Sequence, residues 1–150
     1  MTDRIEHDNP HDLLGTPLPP ARTPRNVVVT AAVTDALAVL AFAAIGRASH
    51  DEALGLSGLA GTAWPFLTAL LVGWLVLRAH RAPRSVWPTG AGLWLVTWGG
   101  GMLLRAATGG GTAIAFVIVA LCFLGLFLAG WRMLARLLGG RSLLPGLSES

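Results

Sequence analysis

The sequence predicts an all-α membrane protein, a bundle of four transmembrane helices whose N and C termini both lie in the cytoplasm. The first reason is composition, because 53% of the residues are hydrophobic and only 13% are charged, whereas soluble domains carry roughly 25% charged residues. The second is the presence of four apolar stretches, each close to the length that crosses a bilayer. The third is that the arginines cluster at the ends of these stretches.

The apolar stretches define one membrane domain with a polar tail on each side. Residues 1–26 are rich in proline and charge, so we expect a disordered cytoplasmic tail there. The membrane domain covers residues 27–134, with predicted spans at 27–46, 63–78, 88–107 and 112–131, and residues 135–150 form a second cytoplasmic tail. A helix of 20 residues is about 30 Å long, which matches the hydrocarbon core of a bilayer.

Prolines and glycines predict where three of the helices begin. Pro65 precedes the apolar part of the second span and Pro88 opens the third. Proline is favoured in the first turn of a helix, where its missing N–H leaves no hydrogen bond unmade. We therefore expect both prolines in the first turns of their helices. Three consecutive glycines, residues 109–111, predict the turn that leads into the fourth span.

The arginines predict the orientation of the bundle. Nine of the eleven lie on one predicted side of the membrane, namely Arg4, Arg22, Arg25, Arg78, Arg81, Arg84, Arg132, Arg136 and Arg141. Only Arg47 and Arg105 fall on the other side. Because arginine-rich segments stay in the cytoplasm, this pattern predicts cytoplasmic termini in the plasma membrane. It also explains the net charge of +3 without a nucleic-acid partner.

Asp35 is the strongest functional signal in the sequence. It lies about 13 Å into the first span, near the middle of a hydrocarbon core of about 30 Å. Its helical neighbours Ala31, Ala38 and Phe42 are mostly small, so another helix can approach closely and Asp35 should face the bundle interior or a subunit interface. An acid at this depth is typical of a proton relay or substrate site. The alternative is a protonated side chain that only hydrogen-bonds to a neighbouring helix.

Arg47 and Arg105 are the predicted counter-charges for this acid. Arg105 lies roughly 12 Å further along the bundle axis, so a direct ion pair requires tilt or a bridging water. Trp94, Trp98, Gly101 and Arg105 share one face of the third helix. That face predicts either a cavity walled by the tryptophans and capped by an anion-binding Arg105, or ordinary helix packing with Arg105 reaching the headgroups.

The end of the first span carries a polar segment that includes His50. Ser49, His50 and Asp51 are consecutive, so their side chains point about 100° apart on a helix and do not form a catalytic triad. His50 is instead a residue that could sense or relay protons, or part of a solvated helix end. The sequence has no metal motif and one cysteine, Cys122, so we predict no cofactor, no metal and no enzymatic activity.

The two halves of the membrane domain resemble each other. Phe66-Leu67, Leu71, Gly73-Trp74 and Leu77 of the second span recur as Phe123-Leu124, Leu128, Gly130-Trp131 and Leu134 of the fourth. Such a duplication would relate two helical hairpins by an axis along the membrane normal. Chance matches between apolar segments are the alternative.

Several motifs together resemble a known family. They are Asp35, the run from Phe42 to His50, Thr62-Ala63-Trp64-Pro65-Phe66, Gly73-Trp74, Gly101-Met102-Leu103-Leu104-Arg105, Phe116-Val117-Ile118-Val119-Ala120 and Gly130-Trp131-Arg132. This combination is similar to the domain of unknown function 3054, a group of small four-span membrane proteins of bacteria and archaea. The resemblance implies the same fold and a membrane location. It implies no activity, substrate or cofactor.

Two main functional hypotheses follow. The first is a small proton- or ion-coupled transporter that uses Asp35, and the alternative is a non-catalytic structural or accessory membrane protein. An enzyme built on His50, Asp51 and Arg105 ranks last, because no nucleophile or metal motif accompanies them. The lipid bilayer is the predicted partner. A homo-oligomer is a further expectation, since a small bundle exposes much of its surface.

Overall fold

The computed structural model describes residues 23–48 and 55–139. Most of the predicted N-terminal tail, His50 and most of the predicted C-terminal tail lie outside these residues. Within them, the chain forms helices and connecting turns, with no β-strand. The all-α prediction is confirmed for the part of the chain that is described.

Residues 23–48 and 55–139 contain four α-helices. They are α1 (Arg25–Ala48, 24 residues), α2 (Leu56–Val76, 21 residues), α3 (Ala91–Ala107, 17 residues) and α4 (Ile114–Gly139, 26 residues). Helices α1, α2 and α4 are each long and apolar enough to cross a membrane. The protein is therefore membrane-embedded, with three such helices and a shorter α3 beside them.

The second and fourth helices are longer than predicted. Helix α2 begins at Leu56, so Pro65 lies inside it and not in its first turn. The prediction for Pro65 was wrong because the segment before it, despite its glycines, is apolar enough to continue the helix. Helix α4 runs on to Gly139, past the predicted end of the span at residue 131. The residues just beyond that end are thus held in the bundle.

The connection between α2 and α3 folds back onto the bundle. It contains a short 3₁₀ turn at Ala79–Arg81 and a wide turn at Val86–Gly90. Pro83 and Gly90 are buried, and Trp87 is extended, with φ −122° and ψ 132°. This extended residue delays the start of regular helix from the predicted Pro88 to Ala91, which leaves α3 about 25 Å long.

The helices pack as an antiparallel ring. Each helix contacts its neighbours in sequence, α1 also contacts α4, and α2 and α3 lie closest together along their length. The centre of the bundle is filled by the ring of Phe42, whose centroid lies 5.2 Å from that of Phe66, 5.8 Å from Phe116 and 5.7 Å from Phe123. Gly101 of α3 lies directly against Phe66, where any side chain would collide with the ring.

The outer surface of the ring is apolar. Leu71 and Leu75 of α2, Leu103 of α3 and Leu126 of α4 are between 61% and 71% exposed. Water-soluble monomers rarely expose apolar side chains in such continuous patches. This surface is the one that a lipid bilayer covers.

Candidate functional site

Asp35 lies on the inward face of α1. It is fully buried, together with Ala31, Ala38 and Phe42 on the same helix. Of the two positions predicted for Asp35, the bundle interior and a subunit interface, the structure shows the bundle interior. A carboxyl group in this position needs hydrogen-bond donors from the neighbouring helices, because no water reaches it from the surface.

Arg132 of α4 is the ion-pair partner of Asp35. Its Nη1 donates to Asp35 Oδ1 at 2.8 Å and its Nη2 donates to Asp35 Oδ2 at 2.7 Å. Both side chains are 0% exposed. The two parallel hydrogen bonds form the bidentate arrangement in which guanidinium and carboxylate groups interact most strongly. The prediction of Arg47 or Arg105 as the counter-charge was wrong, because both lie at the opposite end of the bundle.

Two tryptophans complete the hydrogen bonding of the carboxylate. Trp74 Nε1 of α2 donates to Asp35 Oδ2 at 3.0 Å, and Trp131 Nε1 of α4 donates to Asp35 Oδ1 at 2.8 Å. The guanidinium carbon of Arg132 also lies 4.5 Å from the centroid of the Trp131 ring, a cation–π contact. The carboxylate thus accepts four hydrogen bonds, about as many as it has lone-pair directions.

Arg132 is also bonded to backbone. Its Nε donates to the carbonyl of Pro83 at 2.9 Å, and its Nη1 donates to the carbonyl of Leu128 one turn earlier in α4. Gly90 passes so close that an added Cβ would lie 2.8 Å from Arg132 Cδ. The guanidinium therefore holds the connection between α2 and α3 against the bundle. We call Asp35, Trp74, Pro83, Trp131 and Arg132 the ion-pair network.

The energetics of the ion-pair network depend on its completeness. Removing two charges from water costs several kcal/mol per ion in real proteins, and the mutual attraction compensates only when the geometry is good and the remaining donors and acceptors are bonded. Both conditions hold for Asp35 and Arg132. The network accordingly favours one packing of α1, α2 and α4 over other packings, which would leave a buried charge without its partner.

Trp94 and Trp98 do not take part in this network. Trp94 Nε1 donates to the carbonyl of Leu121 at 2.8 Å, and Trp98 Nε1 donates to the carbonyl of Val117 at 3.1 Å. Trp94 also packs so closely on Gly125 that an added Cβ would lie 2.7 Å from its ring. The two tryptophans therefore join α3 to α4. Of the two interpretations of this helix face, the structure supports helix packing for them.

Arg47 and Arg105 line a pocket of about 260 Å³ at the end of the bundle opposite the ion-pair network. Arg105 Nε donates to the carbonyl of Gly111 at 2.8 Å, and its guanidinium lies over Phe116. His50, the remaining predicted site residue, lies outside the described residues. Among the residues that are described, no group of three His, Cys, Asp or Glu side chains could hold a metal ion.

The sequence contained a signal for the partner that was missed. Ala120, Leu124, Leu128 and Arg132 recur every four residues and are the buried positions of α4. The first three are the apolar residues that a helix turns toward a core. Extending the spacing by one step places Arg132 on the same inward face. The predicted span ended at residue 131, which placed Arg132 just outside it on the cytoplasmic side.

The comparisons with known proteins identify a family but no function. Residues 32–135, more than two thirds of the chain, match the family model described as "Protein of unknown function (DUF3054)". The matched range contains every member of the ion-pair network. No curated protein and no solved structure matches the chain significantly.

Proposed function

We propose that this chain, which belongs to the DUF3054 family of proteins of unknown function, is a non-catalytic membrane protein of the structural or accessory class. The observation that carries the proposal is the saturation of Asp35, whose carboxylate accepts hydrogen bonds from Arg132, Trp74 and Trp131. A carboxylate with every acceptor position filled by protein donors has no position left for water or a transported ion. Its role is to hold the helices in one arrangement.

The packing around Asp35 supports the same proposal. A carboxyl that exchanges protons must meet water in at least one state of its cycle. Here the side chain is 0% exposed, and the rings of Phe42, Phe66, Phe116 and Phe123 fill the centre of the bundle between it and the pocket at the other end. A transport route through the bundle would require these rings to separate.

Proton- or ion-coupled transport through Asp35 is the second function we consider. The observation that favours it is the presence of a charged pair inside a membrane bundle, since ionisable residues there usually mark ion or substrate pathways. In this alternative, Arg132 would release Asp35 during each cycle. The two functions therefore differ in whether Asp35 is ever protonated and hydrated.

Infrared spectroscopy of the protein in lipid distinguishes the two functions. The difference spectrum between wild type and Asp35→Asn should show the band of a carboxylate that is hydrogen-bonded to a guanidinium group. This is expected because Arg132 binds the ionised form through two hydrogen bonds. Absence of this band, together with a pH-driven flux that Asp35→Asn abolishes, would show the transporter instead.

We also propose that α3 crosses the plasma membrane as a fourth span and that both termini lie in the cytoplasm. Helix α3 has 17 residues and is about 25 Å long, and its indole bonds to α4 keep it alongside a helix that is long enough to span. The distribution of the arginines supports the orientation.

Labelling of single cysteines tests this topology. In a Cys122→Ser background, an impermeant maleimide should label Thr112→Cys in intact cells but label Arg84→Cys only after the membrane is permeabilised. The two positions flank α3, so they lie on opposite sides only if α3 crosses the bilayer. Labelling of both positions from the same side would contradict the four-span proposal. Labelling of Arg84→Cys alone in intact cells would reverse the orientation.

A further inference from the structure

A groove of about 380 Å³ runs between α1 and α2 on the outer surface of the bundle. On α1 it is lined by Ala32 and Ala36, whose small side chains leave space between the two helices. On α2 it is lined mainly by leucines and by the ring of Trp74. His80, from the turn after α2, closes one end and is the only ionisable residue among its described lining.

The groove has the length and position of one lipid chain. From Leu67 to Leu75, α2 advances by eight residues, which is about 12 Å. One leaflet contributes about half of a hydrocarbon core of about 30 Å. Leu71 and Leu75 line the groove and are 61% and 68% exposed, so it opens toward the lipid that surrounds the bundle. A single acyl chain can therefore lie along it.

Trp74 connects this groove to the interior of the bundle. Its ring lines the groove, while its Nε1 donates to Asp35 Oδ2 at 3.0 Å. Water in the groove would compete for this hydrogen bond, whereas an apolar chain over the ring keeps the surroundings of the bond dry. The position of Trp74 therefore favours an apolar occupant.

The end of the groove at His80 is basic. His80 lies between Arg78 and Arg81 in the chain, and all three residues are exposed. The turn that carries them is fixed to the bundle, because Ala79 is fully buried and the hydroxyl of Thr23 donates to the carbonyl of Arg81 at 2.9 Å. An apolar groove thus ends at a fixed group of basic side chains.

The described chain offers these arginines no acidic partner. Asp35 is the only acidic residue within residues 23–48 and 55–139, and it is buried against Arg132. Arg78 also has a φ of 49°, a left-handed conformation that favours glycine. Such strain is typical of positions where the side chain has a function. Guanidinium groups match the geometry of phosphate, so the charge at this end is complementary to a phospholipid headgroup.

We propose that this groove binds one anionic phospholipid, with an acyl chain between α1 and α2 and the phosphate at Arg78, His80 and Arg81. Basic residues beside a membrane helix attract anionic lipids in general, and the groove adds a fixed place for one of them. The proposal requires only that α1 and α2 lie in a membrane. It is independent of whether Asp35 has a structural role or takes part in transport.

Lipid titration of the purified full chain, followed by native mass spectrometry, tests the charged end of the site. The probes are anionic phosphatidylglycerol and zwitterionic phosphatidylcholine with the same acyl chains. Wild type should bind phosphatidylglycerol more tightly. The double variant Arg78→Gln with Arg81→Gln should weaken phosphatidylglycerol binding about tenfold or more, because each arginine near the membrane attracts anionic lipid. Binding of phosphatidylcholine should not change.

The matched control removes two other arginines from the same end of the bundle. Arg84 follows Pro83, whose carbonyl is bonded to Arg132 of α4, and Arg136 lies on α4 itself. Arg84→Gln with Arg136→Gln therefore changes the net charge equally without altering the lining of the groove. It should leave the preference for phosphatidylglycerol in place. An equal loss in both double variants would show attraction to general surface charge and would overturn the proposal.

A second pair of variants tests the apolar part of the site without removing an arginine. Ala36→Phe places a ring in the groove and should weaken binding of both lipids. Ala41→Phe makes the same change on the side of α1 that faces α4, and it should weaken neither. The proposal also fails if wild type shows no preference for phosphatidylglycerol, or if Ala36→Phe and Ala41→Phe bind lipid alike.

Discussion

Replacing Arg132 by Met while Asp35 is retained should lower the free energy of unfolding by about 3–5 kcal/mol, the usual cost of breaking a buried ion pair. The loss is large because the carboxylate of Asp35 stays buried and loses two of its four hydrogen bonds. The carbonyl of Pro83 loses its donor as well. Thermal unfolding in detergent micelles measures the change. Arg136→Met, the same substitution at an exposed site one turn later in α4, should change stability by less than about 0.5 kcal/mol.

The double variant Asp35→Leu with Arg132→Met tests how much stability comes from the ion pair itself and how much from the groups bonded to it. Replacing both members of a buried ion pair is often neutral, but here the indole N–H groups of Trp74 and Trp131 would lose their acceptor. Each unsatisfied donor costs about 1–3 kcal/mol. We therefore expect the double variant to be less stable than wild type, but by less than the summed losses of Asp35→Leu and Arg132→Met. Losses that simply add would mean that Asp35 and Arg132 are not coupled.

The inward position of Asp35 could be predicted from sequence. Its partner Arg132 could not be predicted from the expected depth of the side chains in the membrane alone. The small neighbours Ala31 and Ala38 mark the face of α1 that contacts other helices. Arg132 was assigned to the cytoplasm because it follows the last residue of the predicted span. Composition does not reveal that α4 continues to Gly139, since the tertiary contacts of Arg132 offset the cost of burying its charge.

The similarity between the two halves of the sequence relates two tryptophans that meet in the structure. Trp74 and Trp131 occupy matched positions in the second and fourth spans. In the structure, they donate to the two oxygens of the same carboxylate. Residues matched by a repeat approach each other when they lie near the axis that relates the halves. Two matched tryptophans close to such an axis can donate to one shared acceptor. Here that acceptor is the carboxylate of Asp35.

The connection between α2 and α3 shows a limit of local sequence signals. Pro88 is a good residue for the start of a helix, yet the regular part of α3 begins only at Ala91. The reason is tertiary, because the carbonyl of Pro83 accepts a hydrogen bond from Arg132 and Gly90 packs on the same side chain. The path of this connection is set by a residue that lies more than 40 positions later in the sequence.

Phe66→Ala should also destabilise the protein by about 3–5 kcal/mol, the usual loss for removing a buried phenyl ring. Phe66 is 0% exposed, its ring meets Phe42 edge to face at 5.2 Å, and it fills the space beside Gly101. The cavity left by alanine would lie between α1, α2 and α3. Thermal unfolding in the same micelles measures the effect.

Leu71→Ala on the same helix is the control for this prediction, because Leu71 is 61% exposed and faces lipid. Lipid tails are as apolar as leucine, so membrane helices are held together by close packing between side chains and not by removal of apolar surface from water. Lipid can fill the space lost at Leu71, whereas nothing can fill the space lost at Phe66. Equal losses for Phe66→Ala and Leu71→Ala would mean that lipid reaches the centre of the bundle and that the phenylalanine core does not close it.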